Sequence, residues 1–125
     1  MIPIDIKSIN HKDHRYETVG DYYLENGVQK FVVSDMQNPD YEKLVILHEF
    51  IEQWLTEKRG ISEESISAFD IEFEKNREEG NLEEPGDDKN APYKKEHRFA
   101  ENIERMVCHE LGLDWNAYNE TIENL

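Results

Sequence analysis

Between Tyr16 and Gly60 the chain reads YETVGDYYLENGVQKFVVSDMQNPDYEKLVILHEFIEQWLTEKRG, and its apolar period changes partway along. Tyr16 to Leu24 and Val28 to Val33 are rich in aromatic and β-branched residues and flank Glu25-Asn26-Gly27. Asn26-Gly27 suits a two-residue type I′ turn, whose central positions both need positive φ. That register sets Tyr22 opposite Phe31 as an aromatic cross-strand pair. From Asp40 the spacing becomes helical: Leu44, Leu47, Ile51 and Leu55 share one face, Lys58 and Arg59 favour the negative end, and Gly60 can end the helix. Strands followed by a run of helices predict an α+β fold.

The flanking sequence extends the pattern. Ile2, Ile4 and Ile6 alternate beside Pro3, which predicts a short edge strand and leaves residues 1–36 mainly as strands of a small antiparallel sheet. Asp40 is the expected N-cap of the first helix, over 40–59. Ser62 caps a second over 62–77, with Ile61 and Ile66 as a hydrophobic staple and Ile66, Phe69 and Phe73 as its stripe. Residues 78–91 have no period and read as an acidic loop with a type II turn at Pro85-Gly86. Pro92 opens a third helix over 92–111, Gly112 stops it, and Asp114 caps a short last helix over 114–123. The expectation is one domain over 1–125, with three main helices and a short terminal one packed on the sheet.

Composition narrows the function. The 125 residues carry 29 Asp+Glu against 14 Lys+Arg, a formal net charge of −15. A phosphate backbone is held mainly by Lys and Arg, so nucleic acid is not an expected partner. Leu44 to Leu47 is the longest apolar run, too short to span a bilayer, and no signal-peptide order opens the chain. A soluble cytoplasmic protein is expected. Cys108 is the only cysteine, so any metal must bind His and carboxylates.

One feature asks for such a metal. At about 100° per residue, His48 and Glu52 project within roughly 40° of each other, on the apolar arc of Leu44, Ile51 and Leu55. A buried carboxylate is costly unless it is paired, hydrogen-bonded or metal-bound. The third helix repeats the pattern with His97, Glu101 and Glu104 beside Ala100, Ile103, Val107 and Leu111, and Asp70 adds an inward carboxylate from the second. If the three stripes meet, two imidazoles and several acids share one pocket.

The stretch His48-Glu49-Phe50-Ile51-Glu52 resembles the HExxH helix of zinc metallopeptidases, with Glu52 in place of the second histidine. The resemblance implies His48 and Glu52 as metal ligands, Glu49 as general base, and completion of the shell by His97, Glu101 or Glu104. A glutamate ligand lowers the charge on such a centre and weakens its acidification of water. The implied cofactor is zinc, with manganese or iron also suited to mixed nitrogen and oxygen ligands. The longer order of His48-Glu49 and Glu52, Gly60-Ile61, Phe69-Asp70, Glu84-Pro85-Gly86-Asp87, Ala91-Pro92-Tyr93, His97 and Leu113-Asp114-Trp115 resembles small uncharacterised phage and prophage proteins. That likeness implies a bacterial host cytoplasm and no particular activity.

The expected function is therefore a metal-binding protein with a zincin-like site, hydrolytic if Glu49 serves as base, with the loop around Asp87 as a lid. Other readings of the same residues stand beside it. His48 with Glu52 can be a core hydrogen-bonded pair, and His97 with Glu101 a surface contact. A magnesium-dependent nucleotide pyrophosphatase would use Glu49/Glu52 and Glu101/Glu104, against which the hairpin argues. An acidic phage inhibitor would mimic nucleic acid or occupy a basic surface of a host protein. Cys108 shares the inward arc as a small buried thiol or a soft ligand, whereas His11, His14 and His109 read as loop or surface residues.

Overall fold

The computed structural model describes all residues from Met1 to Leu125 as an α+β fold. Its sheet comprises β1 (Ile4–Ile9), β2 (Gly20–Glu25) and β3 (Val28–Ser34), in the order β1-β3-β2. Four helices follow: α1 (Pro39–Lys58), α2 (Glu63–Lys75), α3 (Lys94–Glu110) and α4 (Trp115–Glu123). No helix is long and apolar enough to cross a membrane.

The hairpin forms as its turn residues require. Asn26 and Gly27 have φ of 52° and 76°, and Tyr22 faces Phe31 in the β2–β3 register. β2 begins only at Gly20, because residues 10–19 bridge across the sheet instead of extending the strand. The sheet is mixed and not wholly antiparallel: β1 pairs parallel with β3, Ile4 beside Gln29 through Ile9 beside Ser34. Alternation marks which residues share a face but carries no strand direction, so the sequence pattern could not give this pairing.

That bridge is tied down at the end of β3. The fully buried Ser34 hydroxyl lies 2.7 Å from His11 Nδ1 and 2.9 Å from His14 Nε2, and His11 Nε2 lies 2.9 Å from Glu17. Buried at the end of the central strand, this serine pins a loop.

Helix boundaries follow their caps. Asn38, not Asp40, caps α1 by accepting from the Tyr41 amide, with Pro39 in the first turn. Ser62 caps α2 and Asp114 caps α4, accepting from Ser65 and Ala117. α3 starts at Lys94, since Ala91 to Tyr93 form a turn before it. Pro85–Asp87 is a 3₁₀ turn and not a type II turn, and Gly86 has no positive φ. Its lack of a side chain has another cause, found at the site.

α1 lies against the inner face of the sheet and against α3. Two apolar clusters hold these layers: Tyr22, Phe31, Ile66, Ala91 and Tyr93 in one, Val33, Leu44, Val45, Cys108 and Tyr118 in the other. Full burial of Phe31 alone contributes about 2–3 kcal/mol. Each cluster supplies a tyrosine whose hydroxyl leaves the apolar packing for a buried glutamate, Tyr22 to Glu52 and Tyr118 to Glu104. Cys108 is fully buried in the second cluster, its Sγ 3.7 Å from the Leu113 carbonyl oxygen.

Candidate metal centre

α1 and α3 both carry polar residues on the faces they bury against each other. His48, Glu52, His97 and Glu104 retain only 4–7% of their exposure. The two imidazoles come together with ring centroids 4.7 Å apart. His97 is thus a core residue and not half of a surface contact with Glu101.

Three atoms form a nearly equilateral triangle: His48 Nε2 to His97 Nδ1 is 3.1 Å, His48 Nε2 to Glu52 Oε2 is 3.0 Å, and His97 Nδ1 to Glu52 Oε2 is 3.0 Å. A metal about 2.1 Å from each ligand sets neighbouring donors roughly 3.0 Å apart at right angles and roughly 3.4 Å apart at tetrahedral angles. The observed edges match one face of an octahedron.

The surroundings fix the orientation of these donors. His48 Nδ1 lies 2.7 Å from Glu104 Oε1, and a proton donated there leaves the Nε2 lone pair directed into the triangle. Tyr118 donates to the other oxygen of Glu104, and Tyr22 donates to Glu52 Oε1 at 3.0 Å, so Oε2 alone faces the histidines. Three lone-pair-bearing atoms this close repel unless protons or a metal ion lie between them. With protons alone, the rings must carry the charge. Burial opposes that charge, yet Glu104 and Glu52 hold His48 well above the usual imidazole range, and Glu52 with Glu84 pushes His97 up to about 10. Burial would raise Glu52, but the two imidazoles bring it down to about 2. The carboxylates around the two rings favour positive charge at this point.

Glu49, half-buried, lines the same cavity of about 320 Å³ as His48, Glu52 and His97, but is not one of the three donors. Burial first, and the Glu52 charge second, push its carboxyl well above the ordinary range. It reaches the start of β2, where a Cβ on Gly20 would stand 3.0 Å from its Oε1.

The remaining acids predicted from sequence occupy different places. Glu104 backs His48 on the nitrogen away from the triangle. Asp70 does not join the triangle: Tyr16 donates to it at 3.0 Å and Tyr93 donates to its other oxygen. Burial pushes its carboxyl up to about 7. Glu101 is half-buried and outside the triangle, raised by burial and then by the charges of Glu84 and Asp87.

Sequence reasoning missed two contributions. The first is the tyrosine pair, since nothing local ties Tyr22 or Tyr118 to a glutamate on another element. The second is the contact of Gly86 and Glu84 with His97, within the loop around Asp87 that was expected only as a lid. A Cβ on Gly86 would stand 2.3 Å from His97 Cγ, so only glycine allows this backbone to lie on the ring. Glu84 Oε2 lies 2.9 Å and Asp87 Oδ1 3.6 Å from His97 Nε2, neither aligned as a hydrogen bond, and Nε2 is buried without a partner. The available signal was the glycine between two acids, which the sequence assigned to a type II turn.

The chain matches no protein-family model, no curated protein and no solved structure.

Proposed function

We propose that this protein binds a divalent cation in a zincin-like site able to support hydrolysis, the ion being held by His48 Nε2, His97 Nδ1 and Glu52 Oε2. The triangle of donors with edges of 3.0–3.1 Å carries this reading, because an ion about 2.1 Å from all three atoms at right angles would set them that far apart. The donor set, two nitrogens and one oxygen, suits zinc, manganese or iron. Bound there, the cation would supply Lewis-acid polarisation of a water or a substrate carbonyl or phosphoryl oxygen.

The chain's own residues do the rest. Glu104 and Tyr118 hold the His48 tautomer, and Tyr22 leaves one Glu52 oxygen free to bind. Glu49, beside the triangle in the same cavity, is placed to take a proton from a water and return it to a leaving group. Burial and the Glu52 charge raise its pKa, the direction that favours proton exchange by a carboxyl.

Elemental analysis of untagged protein tests this reading. Stoichiometric metal in the wild type, lost in His48→Ala and His97→Ala and retained in Glu49→Gln, is the expected result. Absence of metal from the wild type, with melting unchanged on adding zinc, manganese or magnesium, overturns it.

A further inference from the structure

The proposed centre uses only one nitrogen of His97. The other, Nε2, is buried without a hydrogen bond, although Glu84 Oε2 and Asp87 Oδ1 of the turn above it lie 2.9 and 3.6 Å away. The His97 side chain is 7% exposed, whereas those of Glu84 and Asp87 are 47% and 30% exposed, so the arrangement lies at the mouth of the cavity. One donor atom from each of these three residues falls within 4.8 Å of the other two.

A hydrogen bond from Nε2–H to Glu84 would be the simplest use of such a pair. The 2.9 Å separation permits it, but the direction does not, and Asp87 approaches the same nitrogen at 3.6 Å. Charge on the ring can offset these acids, but the off-line approach of Glu84 and the second acid at 3.6 Å suit an ion set between the nitrogen and both carboxylates better than a single proton on their line. The turn is also built to be close, since Gly86 omits the side chain that would hold it off the ring.

We propose that His97 Nε2, Glu84 and Asp87 form a second site for a first-row divalent cation, so that the His97 ring stands between two cations, one on each nitrogen. This rests on the first site holding a cation through Nδ1. One nitrogen and two or three carboxylate oxygens suit zinc or manganese. Filling one site displaces the proton from one ring nitrogen. Filling both displaces both protons to solvent and leaves a bridging imidazolate, with no change of oxidation state.

Metal content after zinc loading and desalting distinguishes the outcomes. Two zinc ions per wild-type chain, falling to one in Glu84→Gln/Asp87→Asn, support the proposal. One zinc in the wild type overturns the second site and leaves the first standing, and the double variant then shows unchanged stoichiometry with affinity weakened about 10–100-fold, as for an acid that merely backs a ligand. No zinc in the wild type overturns both. If the double variant does not fold, copper-loaded wild type decides. Two Cu(II) ions on one imidazolate couple magnetically, so an electron-spin count below the chemical copper count supports the bridge, and equal counts overturn it.

Discussion

The molecule contains two pairs of neighbouring histidines, built on opposite principles. His11 and His14 converge on the hydroxyl of Ser34, and His48 and His97 converge on the carboxylate of Glu52. A hydroxyl donates one proton and accepts others, so two neutral rings can share it. An ionised carboxylate only accepts, so rings gathered around it must bring protons or yield to a metal ion. The shifts follow: burial lowers His14, whereas carboxylates hold His48 and His97 up against burial. Histidine proximity alone is therefore not a metal signature. The partner they converge on decides.

Breaking the second pair should have the largest effect. Glu52→Ala removes the shared acceptor and leaves two buried imidazoles facing each other, so we expect about 3–5 kcal/mol of destabilisation in denaturant titration and loss of stoichiometric metal. Wild-type stability with metal retained would remove the distinction between the pairs.

Asp70 sharpens the comparison, being a buried carboxylate whose hydrogen-bond donors are hydroxyls. Without an adjacent cation, burial raises it from 3.8 to about 7, the reverse of Glu52. Its folded pKa exceeds the unfolded one, so its contribution to stability is full below about pH 4 and is lost as pH rises through 7. Asp70→Asn should remove that component, which a three-unit shift puts at roughly 4 kcal/mol at most. The difference in unfolding free energy between wild type and variant, measured from pH 4 to 8, checks this; a constant difference would contradict it.

Ser34→Ala breaks the first pair. Two ring nitrogens lose their partner at the half-buried rim, and about 1–2 kcal/mol of stability should go with it. Metal content should be untouched. A variant that loses metal would link the two pairs and defeat the contrast.

The same contrast explains what the sequence could reveal. Asn26-Gly27, the α1 stripe and the placement of His48 with Glu52 are local, and they gave the hairpin, the helix and half of the candidate site. His97 was legible because α3 repeats the inward polar pattern. Glu104 was legible as an inward acid, but its position on the far side of His48 depends on how the helices face each other. Tyr22, Tyr118 and Glu84 reach the site from other elements, and no periodicity encodes that. Gly86 was read as a turn residue because φ is the usual reason for glycine, whereas here the His97 ring requires it. Strand direction in β1 was lost for a similar reason, since alternation is the same either way.

The parallel pairing of β1 orders the folding of the sheet. β2 and β3 are joined through a two-residue turn, but Ile4 meets Gln29 only after the intervening chain has closed on itself. Loop-closure entropy thus favours the hairpin as nucleus and makes the first strand a late arrival, leaving one flank of β3 bare in the interim. Pulse-labelled hydrogen exchange during refolding should protect the hairpin amides before those of Ile4 to Ile9. In that interval the open flank is a template on which a second chain can pair, so self-association in refolding should rise with protein concentration.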